Sequence, residues 1–310
     1  MFNYSKVGFL CNQTLLANRE LSQLPTLLLV ISSINVPLSI TATLGNALIF
    51  AALHKESSLN PSSKLFLRCL AFSDLCVGLV VQPLAVLSLL TAFYHLGNSC
   101  RVAELLWYSF SIVLADFSLA TLGAISVDRL LALTLGIKYR QVVTMKRARL
   151  FVALFLLFSV GNCFTQYVNY FAFVVYSALM WILLLITSIY CYARIFFVLR
   201  NHIQPQVMPQ GQENGISPLN LSRYKKTVSS ALSVFAALMI CYLPFGLVLM
   251  IQTMLSEVSG RLVIGSYFSI TLVYLNSSLN PFLYCWKIKE VRHSVKETLK
   301  NLGFGKLFGD

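Results

Sequence analysis

The chain has 310 residues, of which 57% are hydrophobic and only 11% charged, with a net charge of +13 and a mean hydropathy of +0.74. Soluble domains carry roughly 25% charged residues, so this chain cannot cover a water-facing surface, and soluble, secreted and disordered readings are excluded. Eight scattered cysteines are too few for a disulfide scaffold.

Residues 1–26 form a polar tail with two glycosylation sequons, at Asn3 and Asn12, and without the compact apolar core and cleavage site of a removable signal peptide. A helix needs about 20 apolar residues to cross the hydrocarbon of a bilayer. The charge-free intervals Glu20–Lys55 and Asp74–Arg101 indicate one such span each, read at 27–53 and, reaching back over Asp74 and Arg68 to Lys64, at 64–92. A third span, 102–133, is interrupted by Glu104 and Asp116 and carries Asp128-Arg129 near its end. The interval Arg149–Arg194 contains 44 uncharged residues, enough for two spans at 148–165 and 170–199. Gly161, Asn162, Cys163, Thr165, Gln166 and Asn169 mark a very short turn between them. Residues 201–222, rich in Gln, Asn, Pro and Gly, read as a linker, and spans at 225–254 and 262–286 follow. Beyond Lys287, the recurrence of Ile288, Val291, Val295 and Leu299 between basic residues predicts an amphipathic helix on the membrane surface over 287–300, with a tail at 301–310. The fold class is thus an all-α membrane protein, a seven-transmembrane helix bundle.

Eighteen Lys and Arg fall on the loops and tail opposite the N-terminus, against four on the N-terminal side. The positive-inside rule then predicts a multi-pass protein with its N-terminus outside the cell. The excess positive charge belongs to the inner leaflet, and no nucleic-acid partner is invoked.

Ionisable groups inside a bilayer are costly and point to function. Asp74 lies mid-span in the second helix, with Asn46, Ser118, Asn276, Ser277 and Asn280 at similar depth. A carboxylate among amide and hydroxyl oxygens suits a small hard cation or a proton; a neutral, hydrogen-bonded structural Asp is the other reading. Asp116 is either a buried protonated acid or the counter-charge to a cationic ligand. Pro37, Pro83, Pro244 and Pro281 interrupt four of the spans.

Gly45-Asn46, Leu70-Ala71-Phe72-Ser73-Asp74, Asp128-Arg129, Cys241-Tyr242-Leu243-Pro244 and Asn280-Pro281-Phe282-Leu283-Tyr284 follow one another in order through the spans. Together they resemble the rhodopsin-like (class A) G-protein-coupled receptors. Lys138-Tyr139-Arg140 and Tyr284-Cys285-Trp286 look most like the adenosine–melanocortin branch. The resemblance implies a plasma-membrane receptor, not an enzyme, that binds an extracellular ligand and activates a heterotrimeric G protein as the sixth helix swings outward. It implies an allosteric sodium pocket at Asp74, Ser118 and Asn280, with Asn46, Asn276 and Ser277 nearby, and no other cofactor or metal. Arg129 would meet the G protein and Asp128 would restrain it at rest. Tyr192 and Tyr284 would approach Arg129 in the active form, with Pro244 as a pivot and Pro281 as a kink. Cys100–Cys163 would be the outer disulfide, with Cys11 able to pair with either.

Several positions depart from the family pattern. The usual Asp-Arg-Tyr reads Asp128-Arg129-Leu130, the sixth-helix Trp is Tyr242, and the fifth-helix Pro is Leu184 with partners Leu119 and Leu238. The acid often found at the inner end of helix six is Tyr224, which implies appreciable basal signalling. Ser111 replaces the amine-receptor Asp, Tyr274 the retinal lysine of opsins, and Leu249 the Asn of adenosine receptors. The resemblance places Gln82, Tyr108, Ser111, Tyr242, Phe245 and Tyr274 at the ligand pocket, whose few polar groups suit a lipid-like or small amphipathic ligand. The alternative is a seven-span ion or solute transporter working through the Asp74 cluster, although no inverted repeat is visible. The four His are scattered, and no metalloprotease or serine-hydrolase motif occurs.

Overall fold

The computed structural model describes residues 24–57, 59–203, 236–237, 239–252, 254–255, 260–287 and 289–301. Asn3, Cys11, Asn12, Tyr224, Leu238 and the linker beyond Ile203 lie outside the described residues. Eight helices are described: α1 (Leu24–Lys55), α2 (Pro61–Phe93), α3 (Gly97–Leu135), α4 (Met145–Val168), α5 (Tyr170–Ile203), α6 (Met239–Gln252), α7 (Gly260–Lys287) and α8 (Lys289–Leu299). The first five and α7 are long and apolar enough to cross a membrane, and α6 is a shorter apolar helix. Most run a few residues beyond the apolar stretches at each end, because capping turns extend into the polar zone. Pro61 opens α2, and Thr144 caps α4 by accepting the Arg147 N–H at 3.4 Å.

The outer faces are oily. Leu157, Phe164 and Phe171 are 68%, 66% and 74% exposed, a display that water would penalise and lipid covers. Hydroxyls within the helices turn back on the preceding turn, as Ser32 does to Leu28 O and Thr121 to Phe117 O (2.8 and 2.7 Å). These hydroxyls therefore do not face hydrocarbon unpaired.

Two proline kinks shape the interior. Pro83 offers no N–H to the carbonyl four residues back and would crowd it. α2 answers with a wide turn over Val77–Val81, in which the Gln82 N–H reaches back to Val77 O. Ser39 of α1 donates to Gly78 O at 2.7 Å. A Cβ on Gly78 would stand 2.7 Å from the Thr43 backbone nitrogen and 2.9 Å from Ala42 Cβ, so glycine sets the close approach of α1 and α2. Pro281 likewise frees Ser277 O in α7, and Asn46 Nδ2 of α1 donates to that carbonyl at 2.9 Å. Gly45 makes room for the proline ring, which a Cβ there would meet at 2.8 Å.

The core divides along the bundle axis. At the end carrying Cys100, Trp107, Tyr267, Tyr274 and Val263 pack with Ile31 and Val81. At the end carrying Arg129, Ile49, Leu53, Leu70 and Tyr284 pack with Val291 and Val295 of α8. There Ser294 also donates to Glu56 Oε2 at 2.6 Å, fastening α8 to the end of α1. Between them lies a smaller cluster of Leu119, Cys241 and Tyr242, with Trp181 and Leu184 against it.

Two expectations are corrected. The polar run Gly161–Gln166 is not a turn: α4 continues through it to Val168, and Asn169 alone joins α4 to α5. Asn162 of that run is satisfied between helices instead: it is buried and donates to Asp116 Oδ2 at 2.7 Å and to Ser177 Oγ at 3.0 Å. The pairing of Cys100 with Cys163 is not formed either. Cys163 is a free thiol whose Sγ lies 3.8 Å from Ser109 O, whereas Cys100 is disulfide-bonded. Ser109 is nine residues along α3 from Cys100, about 13.5 Å at 1.5 Å per residue. Cys163 therefore sits too deep for the Cα separation a disulfide requires.

Candidate functional site

Three polar features lie along the bundle axis. The first is a cavity of about 330 Å³ toward the Cys100 end, enclosed by α3, α5, α6 and α7, with Val77 and Val81 contributed by α2. Of the predicted pocket residues, Tyr108, Ser111, Tyr242, Phe245 and Tyr274 line it. The Tyr274 hydroxyl is fixed by the Trp107 indole N–H and lies 3.3 Å from Ser111 Oγ. Trp107 in turn stacks on Tyr267, with centroids 6.3 Å apart. On the opposite wall Trp181 meets Tyr242 edge-on at 5.3 Å and leans on Phe245 at 6.3 Å.

Gln82 departs from the expectation. It does not line the cavity, is fully buried, and neither of its amide atoms has a hydrogen-bond partner among the described residues. The wide turn just before it shifts the facing of α2, so that Val77 and Val81 take the wall. The residues missed at the sequence level are Trp181 and Ser177, which also line the cavity. One tryptophan within an apolar span was the only available signal.

The second feature is the Asp74 network. Asp74 accepts Ser277 Oγ at 2.8 Å on one oxygen and Asn280 Nδ2 at 2.6 Å on the other. Ser118 does not bond Asp74; it donates to Ser73 Oγ at 2.8 Å, and Ser73 donates to Leu70 O. Ser118 and Ser277 also line the cavity, so the cavity floor and the Asp74 network share residues. Asn46 Oδ1, Asn276 Oδ1 and Asn280 Oδ1 are buried without a donor. The carboxylate, the two hydroxyls and the three unpartnered amide oxygens are all oxygen donors, a chemistry that suits a hard monovalent cation or ordered water. Among the described residues no group of three or more His, Cys, Asp or Glu could hold a transition metal.

The third feature is at the opposite end. Asp128 is held by Ser63 Oγ at 2.6 Å on one oxygen and the Tyr139 hydroxyl at 2.5 Å on the other. Tyr139 belongs to a single helical turn, Tyr139–Val142, that follows the left-handed Gly136 (φ +50°) after α3. Arg129, expected to be restrained by Asp128, has no hydrogen bond or ion pair among the described residues, because Ser63 and Tyr139 already occupy the carboxylate. Tyr192 is buried with its hydroxyl 3.0 Å from Ser126 Oγ. The Tyr284 hydroxyl is buried without a hydrogen-bond partner. Pro244 lies one turn beyond the Cys241–Tyr242 contact with Trp181 and Leu119, and Pro281 lies directly after Asn280.

Comparison with known proteins matches residues 45–171 and 160–284 to the 7 transmembrane receptor (rhodopsin family) model. Adenosine receptor A3 of Ovis aries is 28% identical over 293 residues, covering 86% of this chain and 89% of that receptor. Adenosine receptor A3 of Bos taurus is 29% identical over 293 residues, with the same coverage. Adenosine receptor A2a of Canis lupus familiaris is 26% identical over 310 residues, covering 87% of this chain and 72% of the relative.

Proposed function

Because the chain belongs to the rhodopsin family of seven-transmembrane receptors, we propose that it is a plasma-membrane receptor with its N-terminus outside the cell. A small amphipathic or lipid-like ligand occupies the cavity, and a heterotrimeric G protein is activated at the Arg129 end. The observation that carries this reading is the sharing of Ser118 and Ser277 between the cavity wall and the Asp74 network. A ligand that shifts α3 or α7 must disturb the hydrogen bonds around Asp74, and Asn280-Pro281 continues from there toward Tyr284. Ligand and G protein would each favour the same arrangement of the bundle, which is reciprocal coupling between two sites. Pro244 and Pro281 give α6 and α7 their places to bend.

The relatives are named as adenosine receptors, but Leu249 lines the cavity where the family resemblance puts their Asn. The wall offers no amide there, and adenosine is not the ligand we propose. The test is a ligand screen, adenosine included, read out as nucleotide exchange on several G-protein classes with Arg129→Ala as the control. Exchange should depend on Arg129 with surface expression unchanged; exchange that persists in Arg129→Ala refutes the coupling role.

Since Asp128 is committed to Ser63 and Tyr139, Arg129 has no carboxylate to hold it among the described residues, and agonist-free exchange should exceed that of cells lacking the receptor. A chain expressed at the surface yet silent without agonist would contradict this.

A sodium ion fits the Asp74 network, where Asp74, Asn46, Asn276 and Asn280 would supply oxygen ligands and the ion a neutralising positive charge. Raising sodium at constant ionic strength should lower basal exchange, with a coupling of about 1–3 kcal/mol. Asp74→Asn should remove that response. Equal sodium sensitivity in both proteins would exclude the site.

A further inference from the structure

The cavity has one electrostatic peculiarity. Among the described residues, Asp116 is the single charged side chain on its wall, and no Lys, Arg or His accompanies it. One of its oxygens is bonded to the buried Asn162 amide, which is itself braced by Ser177. The other accepts no hydrogen bond from any described residue and is not sealed into the packing. A carboxylate in a membrane-spanning helix is expensive, and bracing α3 against α4 does not require one, since a neutral amide at position 116 could accept the same Asn162 N–H. Apart from Ser111, Ser118, Ser177, Ser277 and Gly246, the rest of the described wall is aromatic or aliphatic. Trp181, Tyr242 and Phe245 form one aromatic face, and Phe171, Met250 and Met254 are exposed where they line the cavity.

We propose that this cavity recognises a small hydrophobic amine, whose protonated nitrogen docks on the free oxygen of Asp116 and whose apolar or aryl tail packs against Trp181, Tyr242 and Phe245. An ammonium supplies the missing donors in a charge-assisted bond, and aromatic rings lining the same cavity favour a cation. Carboxylates and phosphates find no counter-charge among the described lining residues and are repelled by Asp116. The exposed apolar rim favours an amphiphile that partitions into the bilayer before entering. The proposal rests on the reading of the chain as a receptor with its ligand in this cavity, and it names the chemical class of that ligand.

The test uses the full-length receptor purified into lipid nanodiscs. The probes are benzylamine, phenethylamine and tryptamine, each paired with its N-acetyl derivative, together with phenylacetic acid. Apparent affinity is read from the dose dependence of the thermal midpoint. In the wild type the best amine should bind roughly tenfold to a hundredfold more tightly than its acetylated partner, and phenylacetic acid should not bind. Asp116→Asn should abolish the preference for the amine, and Asp116→Glu should retain part of it. Because the comparison of amine with amide is made on the unaltered protein, a variant that fails to fold does not blunt the test. The proposal is overturned if the acetylated compounds or the acid bind as well as the amines, if Asp116→Asn keeps the preference, or if no amine shifts the midpoint. Arg129-dependent nucleotide exchange in a receptor whose cavity ignores amines would overturn this inference while leaving the receptor function standing.

Discussion

Gly78→Val should remove most of the receptor from the cell surface. A Cβ at this position would lie 2.7 Å from the Thr43 backbone nitrogen and 2.9 Å from Ala42 Cβ, and a helix backbone cannot rotate out of the way as a side chain can. α1 and α2 would have to separate, breaking the bond from Ser39 to Gly78 O. Overpacking of this kind costs about 1–3 kcal/mol and sometimes more, and the lost hydrogen bond adds about 1 kcal/mol. The sum is a large share of the roughly 5–15 kcal/mol that holds a folded protein together. The thermal midpoint of purified Gly78→Ala, with its smaller intrusion, should fall measurably. Other glycines set the scale. Gly45→Ala should be milder because it meets the Pro281 ring, Gly123→Ala milder still because it meets the movable end of Leu184, and Gly161→Ala should be neutral because nothing lies within 4 Å. Equal midpoints for Gly78→Ala and Gly161→Ala would show that the helices do not approach as described.

Asn46→Leu should be the next most damaging change. It removes the only side-chain donor among the described residues that reaches Ser277 O, the carbonyl released by Pro281. An unpaired carbonyl in a dry interior costs about 1–3 kcal/mol. The assignment can be checked with a double-mutant cycle. Pro281→Ala restores a backbone N–H four residues after Ser277, so Asn46→Leu should cost much less in that background than in the wild type. Penalties that simply add would show that Asn46 stabilises the bundle in some other way.

The helical spans were legible because hydrocarbon makes one demand of a chain, long uncharged stretches, and Asp, Glu, Lys and Arg set off most of these from one another, although the α4–α5 join at Asn169 carries no charge. The Asp74 network was legible as well, since polar residues in such stretches are too few to be incidental. What the sequence hid was how polar groups find one another across helices. Asn162 and its neighbours look like a loop when read along the chain, yet they lie within α4, and Asn162 faces Asp116, 46 residues away. Gln82 seemed to face the pocket because a regular helical period was assumed, and the wide turn at Val77–Val81 breaks that period. The cysteines misled for a related reason: Cys163 lies in the same half of the bundle as Cys100 but at a different depth. Arg129 and Asp128 are adjacent in sequence, yet Ser63 and Tyr139 reach the carboxylate from separate elements.

Asn169 is the whole of the connection between α4 and α5; its carbonyl accepts the Phe173 N–H at 3.0 Å and its side chain the Ala172 N–H at 3.1 Å. Two rods joined by so small a bend behave like the prongs of a tuning fork, free to splay at their tips but not at the stem. Any displacement of α5 near the cavity must therefore drag the lipid-facing α4 along, and the surrounding bilayer becomes part of the load that a ligand has to move.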